Sequence, residues 1–142
     1  MLQQVLTELL YSYQIPEDLC TTYWAEIEKY YNSKKRHYHN LTHLENLLKQ
    51  LLECRSQIKD WDSILFAVYY HDIIYNTLKK NNEERSALLA VKRLTAIHYA
   101  PGKCALCSQH ILATKAHTLS KNNDTNLFTD ADLSILGSHT QA

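Results

Sequence analysis

Ile64-Leu65-Phe66-Ala67-Val68-Tyr69-Tyr70-His71-Asp72 is the stretch that decides the fold. A long apolar run ends in two ionisable side chains. Burying such a pair without partners is costly, and a divalent cation is one partner that satisfies both at once. Asp60 is placed to cap a helix that starts just after it. The pattern predicts that this helix runs through Tyr70 to about Tyr75, with Ile64, Val68, His71 and Tyr75 on one face. Asp72 then lies about 100° around the helix from His71, so both reach an ion at the helix edge.

Working outward, other segments carry the same helical period. Leu2, Val5, Leu6, Leu9 and Leu10 predict a first helix that ends near Tyr13. Pro16, Glu17 and Asp18 read as a helix start, with acids at the positive end of the dipole, and that helix extends to about Tyr31. A third helix begins near Asn40 or Leu41 and carries Leu44, Leu47, Leu48, Leu51 and Leu52 as its stripe. Residues 76–82 read as a loop. Asn81 or Asn82 then caps a fifth helix with Glu83 and Glu84 in its first turn and Ala87, Ala90, Val91 and Leu94 along one side. Pro101 opens a sixth helix that runs to about His117. Residues 121–126 read as a polar loop, and 129–136 as a short final helix.

Composition supports an all-α chain. Its 142 residues suit one domain spanning 1–142, and they include only 2 Gly and 2 Pro. A chain of that size buries about two-thirds of its unfolded surface and needs no disulfide staples. The formal net charge is zero, which argues against a broad basic face for a nucleic-acid polymer. No apolar run approaches the roughly 18 residues of a membrane span. The N-terminus lacks the features of a secretory signal. The expectation is therefore a cytoplasmic protein whose four cysteines are reduced thiols.

His43, then His71-Asp72, then Asp132 form an ordered H…HD…D pattern. With it, the chain resembles the HD-domain superfamily, and most closely a bacterial branch of predicted metal-dependent phosphohydrolases. The resemblance also rests on the blocks around Arg36-His37-Tyr38-His39-Asn40, Asn82-Glu83-Glu84-Arg85, Ile111-Leu112-Ala113-Thr114 and Asp130-Ala131-Asp132-Leu133. It spans about residues 36–137. It implies an HD-domain-like bundle of six to seven helices, in which His43, His71, Asp72 and Asp132 act catalytically by binding one divalent ion. Mn, Mg, Fe, Co, Ni and Zn all suit a mixed imidazole and carboxylate set. The implied activity is hydrolysis of a phosphoester in a nucleotide or another small phosphorylated metabolite. The alternative is a non-catalytic or truncated HD-type module that binds metal or ligand. A di-iron HD-type oxygenase ranks lower, for want of a second HD pair.

Several residues stay open between chemistry and scaffold. Asp130 competes with Asp132 as ligand; two positions apart they face different ways on a helix, and the resemblance favours Asp132. Arg36, His39, Asn40 and His117 are candidates to hold substrate. For Arg36 the rival role is a solvated loop, and for Asn40 a helix cap. Glu83 either orients a ligand or simply favours the helix dipole. His110, Thr114 and His117 share one face of the sixth helix. Cys104 and Cys107 read as packing residues, because no second cysteine pair stands at finger spacing. Few residues follow Asp132. The short final helix expected there would therefore fray and leave apolar surface that favours self-association.

Overall fold

Every regular element among the described residues is helical. The computed structural model describes residues 1–33, 36, 39–116 and 118–141, with side chains up to residue 136. In chain order the helices are α1 (Leu2–Ser12), α2 (Glu17–Tyr31), α3 (Leu41–Glu53), α4 (Trp61–Tyr70), α5 (Asn82–Ala96), α6 (Pro101–Ala116) and α7 (Asn123–Gln141). A single 3₁₀ turn, Arg55–Gln57, joins α3 to α4. The all-α bundle expected from the sequence is the fold observed.

α4 is the axis of the bundle. All its side chains from Ser63 to Tyr70 are buried, as a helix apolar on every side requires. α3, α5 and α6 pack around it, α1 pairs with α2, and α7 lies against α3 and α6. Asp60 caps α4 as expected, its carboxylate accepting from the Ser63 N–H at 3.2 Å. Tertiary hydrogen bonds join the layers: the Tyr69 hydroxyl donates to the Leu2 carbonyl at 2.6 Å, and Ser63 meets the Tyr99 hydroxyl at 2.6 Å.

With so few glycines, two helix ends use other residues in the left-handed region. Gln14 closes α1 at φ 64°, and His98 closes α5 at φ 63°. In each, an N–H reaches back five residues, from Ile15 to the Leu10 carbonyl and from Tyr99 to the Leu94 carbonyl, the pattern that ends a helix sharply.

The bounds of α4 and α7 differ from the sequence expectation. α4 stops at Tyr70 rather than Tyr75, because side chains from elsewhere capture the backbone beyond it. The Tyr31 hydroxyl donates to the Tyr69 carbonyl at 2.9 Å and accepts from the Asp72 N–H at 3.2 Å. Ser86 of α5 accepts from the Ile74 N–H at 3.0 Å. Tyr75 therefore lies outside the helix and does not continue the face of Ile64 and Val68.

α7 starts earlier than expected and is not short. The polar residues read as a loop form its first turn. The Asn122 side chain accepts from the Asp124 N–H at 2.9 Å, and the Asn126 amide returns to the Ser120 carbonyl at 2.9 Å. The Asp124 carboxylate is buried and accepts from the Lys59 and Asp60 N–H groups, each at 2.9 Å. It pins the start of α7 to the start of α4. Asp132 thus sits within a 19-residue helix, not in a frayed terminal turn.

Candidate metal centre

Three elements bring their ionisable side chains to one point. His43 lies in the first turn of α3, where the Asn40 side chain accepts from its N–H at 3.1 Å and caps the helix. His71 is the residue on which α4 ends, still in helical conformation at φ −63°. Asp132 projects from α7. All three are buried, and one ligand atom from each lies within 4.8 Å of the others.

The Nε2 atoms of both histidines face the same carboxylate oxygen. His43 Nε2 is 2.9 Å from Asp132 Oδ1, and His71 Nε2 is 3.3 Å from it. His71 Nδ1 lies 2.9 Å from the Val68 carbonyl. That bond requires an N–H at Nδ1 and directs Nε2 into the cluster. His71 Nε2 itself is buried and makes no well-formed hydrogen bond among the described residues, although Asp132 Oδ1 and Asp72 Oδ2 lie 3.3 and 3.4 Å away. A bare lone pair facing two carboxylates is unfavourable, so this nitrogen calls for a proton or a cation.

The charges respond accordingly. Burial depresses the His71 imidazole, but Asp72 and Asp132 outweigh it and raise its pKa from 6.5 to about 9. Burial works against ionisation of Asp132, yet His71 and His43 hold its carboxyl far below the usual range. The Asp72 carboxyl is likewise lowered: burial opposes this, and His71 and His39 overcome it. Two buried imidazoles and a buried carboxylate, turned towards one another, are a donor set that can hold a divalent metal ion.

Asp72 stands at the edge of this group. Its Oδ2 is 4.0 Å from His43 Nε2 and only 2.7 Å from His39 Nδ1. The side chains of Asp72 and His39 are 15% and 23% exposed, whereas His43 and His71 have at most 1%. Solvent therefore reaches the cluster from the side of Asp72 and His39. The His39 ring stacks on Tyr75, with centroids 4.4 Å apart.

The other candidates fall as follows. Asp130 is exposed, so Asp132 is the residue of the pair that reaches the cluster. Arg36 is buried and binds the carbonyls of His39, Asp72 and Ile73; its guanidinium faces backbone rather than solvent. Asn40 serves as the α3 cap. His117 lies outside the described residues. Glu83 sits in the first turn of α5 beside Glu84, which pairs with Lys115 at 2.9 Å on the surface. Cys104 and Cys107 are buried free thiols, and burial pushes the Cys107 thiol up. Thr114 bonds the Ile111 carbonyl within its own helix. His110 is buried with Nδ1 2.8 Å from the Thr125 hydroxyl.

Sequence reasoning missed Tyr31 and Ser86, which hold the backbone around His71-Asp72. A tyrosine and a serine in unrelated helices give no local signal of such a role. No family model matches the chain, and no curated protein or solved structure matches it.

Proposed function

We propose that this chain is a metal-dependent phosphohydrolase of the HD-domain type, acting on a phosphoester of a nucleotide or another small phosphorylated metabolite. The observation that carries the reading is the convergence of His43, His71 and Asp132, in the order H…HD…D, from α3, the end of α4 and α7. Asp72 is the fourth ligand in this reading, because its Oδ2 already faces both imidazoles. A divalent ion held there supplies Lewis acidity, acidifying water and polarising a phosphoryl oxygen.

The chain's own residues supply the rest. Asp132 and Asp72 provide the negative charge that selects a cation. The Val68 carbonyl fixes the His71 tautomer, a constraint that also raises ligand basicity. The buried sides of the cluster exclude water. The half-buried pair His39 and Asp72 forms the side from which a phosphoester approaches. His39 is the substrate-contact candidate that this arrangement favours over Arg36, whose guanidinium binds backbone carbonyls, and Asn40, whose side-chain oxygen caps α3.

The test is phosphate release from generic phosphoesters and nucleoside phosphates, with and without Mn²⁺, for the wild-type chain and Asp132→Asn. The expected result is Mn²⁺-dependent turnover that the variant lacks. Metal binding without turnover across the panel would favour a non-catalytic metal- or ligand-binding module. Turnover that survives in Asp132→Asn would contradict the assignment.

A further inference from the structure

Arg36 is buried, yet its guanidinium goes to carbonyl oxygens rather than to a carboxylate. One terminal nitrogen, Nη1, donates to the His39 carbonyl at 3.1 Å and to the Asp72 carbonyl at 2.6 Å. The other, Nη2, donates to the Ile73 carbonyl at 2.5 Å. His39 and Asp72 belong to the two segments that carry the candidate ligands. One leads into α3 and His43, and the other follows directly from His71.

The guanidinium also lies over two aromatic rings. It lies 4.7 Å from the Tyr31 ring centre and 5.5 Å from that of Tyr75, and Tyr75 in turn stacks on His39. A chain of ring contacts therefore runs from the buried Tyr31 through Arg36 and Tyr75 to His39, whose Nδ1 meets Asp72 Oδ2 at 2.7 Å. Tyr31 closes the arrangement from the other end by binding the Tyr69 carbonyl and the Asp72 N–H. A planar fork with two separated terminal nitrogens suits three carbonyls and two ring faces together; a compact ammonium offers neither the fork nor the flat face.

We infer that Arg36 is a positioning residue: its guanidinium fastens the segment of His39 and His43 to the His71-Asp72 turn and thereby sets the spacing of the metal ligands. Outer partners that orient ligands typically change metal affinity by 10- to 100-fold. This inference rests on the metal-site reading above, so its test includes a readout that needs no metal.

Arg36→Lys and Arg36→Gln are compared with wild type in the full chain. Tyr69→Phe, which loses the buried hydroxyl bond from α4 to the Leu2 carbonyl and leaves the Tyr69 backbone and every ligand contact in place, is the control for general destabilisation. Co²⁺ titration followed by visible absorption reads affinity and ligand geometry. Imidazole N–H proton resonances of the metal-free protein read the His39–Asp72 bond, assigned through His39→Gln. Both Arg36 variants are expected to lose at least about tenfold in Co²⁺ affinity, to change the Co²⁺ spectrum and to lose the His39 resonance. Tyr69→Phe is expected to melt lower with affinity and resonance unchanged. A folded Arg36 variant with wild-type affinity and an intact His39 resonance would overturn the inference. So would unfolding of both Arg36 variants, which would make Arg36 a general structural residue. If wild-type protein binds no Co²⁺, the metal reading fails, and the His39 resonance alone decides the role of Arg36.

Discussion

Two buried histidines touch the ring of Phe128 from different helices. His71 meets it edge-on, with centroids 5.6 Å apart, and His110 meets it at 6.2 Å. Each has Nδ1 engaged, His71 with the Val68 carbonyl and His110 with the Thr125 hydroxyl. Each has a buried Nε2 that makes no well-formed hydrogen bond among the described residues. What differs is the surroundings of that nitrogen. The His71 Nε2 faces Asp132 and Asp72 within 3.4 Å. Among the described residues His110 has no ion-pair partner of that kind, and burial lowers its pKa to about 4 despite Asp124 and Asp60. Burial and an open nitrogen are common to both rings; only at His71 do carboxylates converge on that nitrogen and supply the charge that attracts a cation.

The largest expected effect separates the two histidines by metal affinity. His71→Ala and Asp132→Ala should each weaken Mn²⁺ binding by more than about a hundredfold, beyond the range typical of outer partners. His110→Ala and Asp130→Asn should stay within about threefold, as expected of sites away from the ligands. Isothermal titration of the four variants checks this. A larger loss for Asp130→Asn than for Asp132→Ala would show that the wrong carboxylate has been chosen.

The next effect lies in pH dependence, and its sign is opposite for the two rings. In metal-free protein the raised His71 pKa contributes stability that is complete below pH 6.5 and is lost as the pH rises towards 9. The lowered His110 pKa works the other way. Between pH 6.5 and 4 the unfolded chain takes up a proton there that the folded chain refuses, so stability falls as the solution is acidified. Denaturant melts across this range should show the alkaline loss reduced in His71→Asn and the acid loss reduced in His110→Asn. Parallel pH profiles for both variants would break the comparison. Metal binding should also release a proton near neutral pH, because the His71 nitrogen must give one up to become a ligand.

A smaller effect concerns how α7 presents both Phe128 and Asp132. Asp124→Asn keeps one acceptor oxygen where the carboxylate uses two, leaving the N–H of Lys59 or Asp60 unpaired. An unsatisfied group costs about 1–3 kcal/mol when fully buried; these two bonds are part-buried, so urea unfolding should show a loss at the lower end, about 1 kcal/mol. The smallest effect belongs to a third histidine. His98 is exposed and held at φ 63°, so its contribution is to the backbone alone. His98→Gly should raise stability by about 0.5–1 kcal/mol, the strain relieved less the extra freedom of glycine in the unfolded chain.

The helices that carry apolar stripes were legible in the sequence. Leu44, Leu47, Leu48 and Leu51 are buried along α3 as their spacing predicts, whereas Leu52, the fifth residue of that stripe, is exposed; α1, α2 and α6 begin and end close to their expected positions, and α5 begins at its expected cap. The ordered pattern of His43, His71-Asp72 and Asp132 also pointed to residues that the fold brings together. The boundaries that failed were those set by distant side chains. Nothing near Ile73 announces that Tyr31, Arg36 and Ser86 will take its neighbours' backbone groups and end α4. The first turn of α7 escaped for another reason: Asn122, Asp124 and Asn126 resemble loop residues because their polar groups serve a helix start. Arg36 stayed open between a substrate contact and a solvated loop because sequence shows the fork of a guanidinium but not the carbonyls that it binds.

The central claim is that His43, His71 and Asp132 hold one divalent ion. Anomalous diffraction from crystals grown with Mn²⁺, recorded at the manganese edge, tests it most directly. The predicted result is a single strong peak per chain within bonding distance of His43 Nε2, His71 Nε2 and the Asp132 carboxylate, and none beside His110. A map with no peak at the cluster, at a Mn²⁺ concentration that saturates the protein in solution, would contradict it.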